Sequence, residues 1–489
     1  LCENLSDGDS YTSLSQPKFP RIGILNDYVR VPYANGSSFA SQFLHREFSR
    51  RGSEVTVIGP ADPNAKPEEL PGNSVCLASL PFRNHPGVQL AFPNRAALQK
   101  LVDSRLSMTV AQTGSALLYI GLWLRRHARV PLVCVNTIHL PAVYDVLLPQ
   151  ALHRNRMAIS LLRDKVIPLV EKSTVAIYNS ADGLVVLSKG LKEYWRARGV
   201  TVPISVIARS VDPEIFENVS QPDPFPAQTR RGRRLLVVCR HTREKNVERL
   251  LQIFAERIAP HEPEATLTLV GDGPDHDYFR KCADDFGIAD RCFWPGEISL
   301  PDMPAWYRHS HVFVYTSLSE TYGQVVSEAL WCGLPAVAMA DGMGVSDQIQ
   351  HGEDGFLVDP EAPDADQCFA SRVLDLLRDE PLRASCAEQA RRNAHRRSDP
   401  QRCIEAYEQT LTVAQRHLER TFTSPNWLQR VFPRVYMTFL HLLLAVLGCI
   451  RPPATVNRHG RRQPQWNRDS EPAPASERRK MRRRVPSAA

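Results

Sequence analysis

The chain has 489 residues, 43% hydrophobic and 23% charged, an ordinary globular composition that is neither fibrous nor disordered and is long enough for two or more cores. Its net charge of +7 is local: Arg451 to Ala489 hold eleven Lys/Arg against three Asp/Glu, which leaves the remainder at −1. A nearly neutral body speaks against a nucleic-acid-binding protein, and eleven cysteines without paired spacing speak against a disulfide framework and for a reducing compartment.

In chain order, the opening LCENLSDGDS is polar and acidic, with no basic stretch leading into an apolar one, so no signal peptide is expected there. RIGILND (Arg21–Asp27) is a short apolar run that predicts a buried parallel strand. A helix follows, with Phe39, Phe43, Leu44 and Phe48 on one face and Gly52 as its stop, and then a second strand in EVTVIGP. That is a βαβ unit. PLVCVNTIHLP and GLVVLSKG predict further strands separated by helical stretches.

The Pro- and Arg-rich stretch Val219–Arg233 reads as a linker, after which the rhythm restarts with RLLVVCR, ATLTLVGDGP, HVFVYTS and LPAVAM. Two α/β halves imply two doubly wound domains around a cleft, with ligands beyond the carboxyl ends of the strands. The expected divisions are a lead at 1–19, a first domain at 20–218, a linker at 219–233 and a second domain at 234–423. An apolar segment with basic flanks follows at 424–451, then a basic disordered tail at 452–489. Within that segment Val435–Ile450 is sixteen nearly uniform apolar residues, short for a span, flanked by Arg430, Arg434 and Arg451. It is expected to lie in a membrane surface or to form a short span; packing against a domain is the plainer alternative.

The chemistry concentrates in SLSETYGQVVSEALW, Ser317–Trp331. The strand HVFVYTS delivers a loop and then a helix, with Glu320 at or just before the helix start and Glu328 about two turns on. A helix N-terminus suits a diphosphate, and carboxylates beside it can accept hydrogen bonds from sugar hydroxyls. Taken alone, Ser317 and Glu320 equally make a capping box, and Glu328 a solvated helical acid.

The E-x7-E spacing, the aromatic-Gly after the first Glu and the following G-x-P-V resemble the signature of retaining family-four glycosyltransferases, which have the GT-B fold. An ordered set supports the resemblance: VVCRHTREKNVERLL, LTLVGDGPDHDYF, FWPGEIS and HGEDGFLVDP all have counterparts in that family. The first half is similar too, in VPYANGSSFASQFLHREFSRRGSEV, VNTIHLP and VIARSVDPEIF. Asn35-Gly36 stands where Gly-Gly is common, closer to the lipid-glycosylating branch. Arg209 and Ser210 replace the commoner Asn and Gly, and Gly342–Gly344 (GMG) departs from the usual Gly-Gly.

The resemblance implies Arg240 and Lys245 on the donor phosphates, Glu320 on the transferred sugar, Glu328 on the ribose, and His139 in the cleft. Gly36, Gly271, Gly296, Tyr322, Gly323 and Gln324 complete the implied donor-binding set. His139, Glu320, Arg240 and Lys245 are the candidate catalytic residues. It also implies a nucleotide-diphospho-sugar of UDP-glucose or GDP-mannose type as substrate and no further cofactor. The motifs Asp275-x-Asp277 and Asp364-x-Asp366 look like metal sites, but they lie in turns outside the cleft motifs, and no metal is expected.

The basic, apolar stretch Pro149–Lys172 and the C-terminal segment favour a membrane-lipid acceptor and a peripheral place at the cytoplasmic face of a membrane, with no nucleic acid. A soluble or polysaccharide acceptor, a GT-B-shaped epimerase and a non-catalytic sugar-nucleotide sensor or scaffold are the alternatives.

Overall fold

The computed structural model describes residues 18–27, 36–61, 70–81, 89–91, 95–113, 117–137, 156–217, 221–229, 232–318, 320–422 and 435. His139, Asn35, the segment 436–450 and the basic tail, all named in the sequence reading, lie outside them.

Each half is built on a parallel sheet. The first comprises β1 (Arg21–Leu25), β2 (Glu54–Pro60), β3 (Ser74–Leu77), β6 (Met108–Ala111), β7 (Leu132–Val135), β8 (Gly183–Val186) and β9 (Ile204–Val206) in the order β3-β2-β1-β6-β7-β8-β9. A small antiparallel pair, β4 (Ser79–Pro81) and β5 (Gln89–Ala91), stands apart. The second comprises β10 (Arg233–Val238), β11 (Ala265–Val270), β12 (Cys292–Gly296), β13 (Val312–Tyr315), β14 (Ala336–Met339) and β15 (Gly355–Val358), ordered β12-β11-β10-β13-β14-β15. Strand order reverses between β1 and β6 in one sheet and between β10 and β13 in the other, so each has one switch-point crevice at its carboxyl edge. This is the doubly wound, two-domain architecture expected.

The strands read as continuous apolar runs because both faces are covered. In β1, Ile22 and Ile24 enter one core and Leu25 the other; β6 repeats the alternation with Met108 and Val110 against Ala111. The helix Gly36–Arg50 sends Leu44 and Phe48 into the first of these cores, with Phe43 packed beside them.

One element departs from the expected division at residue 423. The helix Pro400–Thr421 follows the second sheet in sequence, yet Ile404, Tyr407, Leu411 and Ala414 complete the core of the first. Thr410 Oγ1 donates to Ser205 Oγ at 2.8 Å, and Arg51 pairs with Glu408 at 3.2 Å. Asp182, fully buried and held by Arg125 at 2.8 Å, also meets His417 Nδ1 at 3.3 Å. The chain therefore crosses between the halves twice, once after β9 and once into this helix.

Among the described residues no helix is long and apolar enough to cross a membrane. The nine described cysteines are all free thiols.

Candidate active site

The switch point of the second sheet is where the site's charges meet. The loop after β10 forms a short 3-10 turn, Arg243–Lys245, ending at Asn246 in the left-handed region (φ 56°). Asn246 accepts Thr316 Oγ1 on its carbonyl at 2.9 Å and donates Nδ2 to the Thr316 carbonyl at 3.3 Å. This clasp ties the loop after β10 to the loop after β13 and brings Lys245 Nζ to within 2.6 Å of Glu320 Oε1. The same oxygen accepts the Tyr315 hydroxyl at 2.7 Å and the Ser317 hydroxyl at 2.9 Å.

Burial alone would raise the Glu320 pKa. The Lys245 charge and the three hydrogen bonds outweigh it and hold the carboxyl below its ordinary value. The Lys245 pKa is raised instead, its burial overcome by Glu320. Both side chains stay partly accessible, 18% for Lys245 and 13% for Glu320, so the pair faces the crevice.

Ser317 thus donates to Glu320 and caps no helix. The helix begins later, at Gln324, after Gly323 in a left-handed conformation (φ 77°), and no side chain caps it. An uncapped helix start leaves backbone N–H groups that can receive an anion. Gly344 closes the loop from the other side: its N–H reaches the Glu320 carbonyl at 3.0 Å, and a Cβ on it would lie 2.6 Å from Tyr322 Cα. The GMG variation keeps its first glycine for a different reason, since Gly342 takes φ 64° and its carbonyl lies 2.0 Å from where a Cβ on Gly190 of the first half would stand.

The remaining candidates divide by environment. Arg240 is exposed just past β10, and among the described residues its guanidinium has no hydrogen-bond or ion-pair partner. Gly271 (φ 124°) lets β11 end against β10, where a Cβ would stand 1.9 Å from the Cys239 carbonyl; its N–H bonds to Gly296 at 2.9 Å. Gly296 itself (φ 75°) has open space around it.

Tyr322 is 3% exposed, and its hydroxyl is tied to the Arg209 carbonyl and to Ser327 and Ser398. Its ring is a strut between the halves, which leaves only its backbone to meet a donor. Gln324 donates Nε2 to the Ser210 carbonyl at 3.4 Å.

Glu328 departs most from the sequence picture. It is no solvated acid: it is 7% exposed and accepts the hydroxyl of fully buried Tyr307 at 2.9 Å. Burial pushes its pKa up to about 7, against the opposing hydrogen bonds from Tyr307 and Gln324.

Two further observations were not foreseen. Thr321 Oγ1 reaches the Thr137 carbonyl at 3.4 Å, which sets the Glu320 loop against the carboxyl end of β7, two residues before His139. The imidazoles of His241 and His276 face each other with 2.8 Å between Nδ1 atoms, and with Asp272 they form a group able to hold a metal ion. One acid of each D-x-D motif is engaged elsewhere: Asp275 accepts the Arg243 N–H at 3.1 Å and Asp366 pairs with Arg249 at 2.8 Å. Thirty-five residues separate His241 from His276 in sequence, and no spacing rule joins them.

The family model for glycosyl transferases group 1 matches residues 225–393, and that for glycosyltransferase family 4 matches residues 35–215. The chain belongs to the family-four glycosyltransferases. Alpha-monoglucosyldiacylglycerol synthase of Streptococcus pneumoniae is 23% identical over 65% of this glycosyltransferase and 70% of its own length. A sulfoquinovosyl transferase of Arabidopsis thaliana is 24% identical over 78% of this chain and 70% of its own. Among solved structures, Anabaena HepE in complex with UDP and glucose superposes with a TM-score of 0.59 at 19% identity, covering 80% of this chain and 99% of HepE. The sucrose-phosphate synthase of Thermosynechococcus elongatus gives 0.59 at 20% identity, covering 80% and 98%. At such identities the structural likeness speaks for the fold, which is GT-B.

Proposed function

We propose that this glycosyltransferase moves a hexose from a nucleotide-diphospho-sugar of UDP-glucose or GDP-mannose type, with retention, to a hydroxyl of a membrane lipid. The donor diphosphate sits on the start of helix Gln324–Trp331 with Arg240 and Lys245 around it, and Glu320 turns toward the sugar. The C1–phosphate bond breaks, the acceptor oxygen bonds to C1 on the same face, and the acceptor proton passes to the departing phosphate oxygen. The products are a glycoside and a nucleoside diphosphate. Fixed cations and N–H dipoles stabilise the charge that gathers on the leaving group. His139 contributes to the sugar or acceptor side, and Gly36 abuts the diphosphate from the first domain.

The observation that carries the lipid acceptor is a stripe on the first domain. Met157 is 83% exposed, Leu161 61%, Val166 39% and Leu169 64%. They lie along Arg156–Leu161, Leu162–Val166 and Ile167–Tyr178, whose middle segment is a π-helical turn. A π turn adds a residue, which keeps Val166 beneath Leu161 where a plain α-helix would rotate it away. Lys165 and Lys172 are exposed alongside. An apolar stripe bordered by lysines is the form of a helix lying in an anionic lipid surface. The names of the diacylglycerol and sulfoquinovosyl relatives point the same way. A peripheral place at the cytoplasmic face, aided by Val435–Ile450, completes the reading.

The test is incubation with labelled nucleotide-sugars and a membrane lipid extract. Label is expected in the organic phase with wild-type protein; label confined to water-soluble product points to a soluble acceptor instead. The paired change Leu161→Glu and Leu169→Glu is expected to cut sedimentation with anionic vesicles at least tenfold. Because both side chains already face water, Tm should move by no more than a degree or two. Vesicle binding that survives the change removes the support this stripe gives.

A further inference from the structure

Arg209 lies on the crossing between the halves, just past β9. The backbone there is gripped from several sides. The Ala208 carbonyl accepts Cys403 Sγ at 3.3 Å, the Arg209 carbonyl accepts the Tyr322 hydroxyl at 3.2 Å, and the Ser210 carbonyl accepts Gln324 Nε2 at 3.4 Å. Val211 N–H bonds to the Ser398 carbonyl at 3.0 Å. Among the described residues the guanidinium has no such partners. Its Nε is buried without a hydrogen bond, and among the described residues no carboxylate pairs with it.

The groups close enough to act on its charge are Tyr407, Tyr322 and Glu320. Tyr322 and Gln324, which grip this backbone, belong to the loop after β13 and the helix it leads into, while Cys403 and Tyr407 belong to the helix packed on the first sheet, so Arg209 lies between the halves. Glu320 does not serve as its counter-ion, because Lys245, Tyr315 and Ser317 already share the one oxygen and Lys245 balances the charge.

A guanidinium keeps its proton under all ordinary conditions, and a largely buried one without a partner is costly to the fold. The fold here holds that charge by a tightly bonded backbone and leaves the fork open. We propose that Arg209 is the centre of an anion-binding subsite on the floor of the cleft, at the sugar end marked by Glu320, which takes an oxyanion of the bound substrate. The proposal rests on the nucleotide-sugar reading above and adds to it a third cation distinct from Arg240 and Lys245. The oxyanion has two possible sources, the sugar-proximal phosphate of the donor or an acidic substituent on the transferred sugar. Both offer the paired oxygens a planar fork binds.

The experiment measures binding of UDP, GDP, UDP-glucose and UDP-glucuronate by calorimetry to wild-type protein, Arg209→Gln and Arg209→Lys, with Tm recorded for each. Arg209→Gln is expected to lose at least tenfold in affinity for an anion-bearing ligand while its Tm holds or rises, because a buried unpaired charge is gone. A loss shared by the bare nucleotide and the sugar nucleotides assigns the subsite to phosphate. A loss confined to UDP-glucuronate assigns it to an acidic sugar. Arg209→Lys, a point charge without the fork, should fall between. Unchanged affinities for every ligand overturn the proposal, as does a fall in Tm of several degrees with affinity intact, which would make the guanidinium a structural strut. A wild-type protein that binds neither UDP nor GDP overturns the nucleotide-sugar reading beneath it.

Discussion

Glu320→Gln is expected to lower turnover by about 10²–10³-fold, the scale on which single preorganised electrostatic groups act in active sites. The amide keeps an oxygen for Tyr315 and Ser317, so the loop has no geometric reason to move. What goes is the charge opposite Lys245, now 2.6 Å away and only 18% exposed. Removing one partner of a largely buried pair costs about 3–5 kcal/mol, because the other charge is left without compensation. Glu320→Gln and Lys245→Met should each destabilise the protein by a few kcal/mol in urea unfolding. The double variant should recover most of that loss while remaining inactive. A double variant as unstable as the sum of the singles would mean that the two residues do not act as a pair.

The pH dependence follows from the same contacts. The Glu320 carboxyl is held below its ordinary value of 4.5, so the pair's contribution is present above that pH and lost as pH falls through the lower, folded value. Lys245 is raised above its ordinary 10.5, so its share is intact below that and lost only at higher pH. Wild-type protein should therefore lose more stability than the double variant below about pH 4.

Much of this site is legible in the sequence because it is local to strand ends. β10, β11, β13 and β14 announce themselves as apolar runs, and in a doubly wound sheet the loops after β10 and β13 must share the switch point. That places Lys245 near Glu320 without any coordinates. What stays hidden depends on partners remote in sequence or on backbone geometry. Ser317-x-x-Glu320 has the spacing of a capping box, but Gly323 delays the helix start, and the same two residues make a side-chain bond instead. The helical stripe of Pro400–Thr421 says that one face is buried without saying against which sheet. Arg209 reads as a mere substitution until Tyr322 and Tyr407 are seen closing on it from opposite halves.

The burial of Glu328 is the other hidden feature, and it yields an opposite pH effect. Its hydroxyl partner Tyr307 lies 21 residues upstream. With a folded pKa of about 7 against an ordinary 4.5, the native protein keeps a proton that the unfolded chain has released between those values. Stability therefore falls as pH rises through that window, and above it the cost of the buried charge is on the order of 3 kcal/mol. Glu328→Gln removes the titration. The variant should be more stable than wild type at pH 8, by up to that amount, and nearly equal to it at pH 4.5, read by urea unfolding at the two pH values. Nucleotide affinity should move the other way. If the donor ribose rests on Glu328, as the family resemblance implies, an ionised carboxylate accepts its hydroxyls more strongly than a neutral acid does, and wild-type affinity should rise between pH 6 and 8 while that of Glu328→Gln stays flat and weak. A stability difference independent of pH would show that this carboxyl ionises normally. Its burial against Tyr307 would then carry no electrostatic cost, and any rise in nucleotide affinity with pH would need another titrating group.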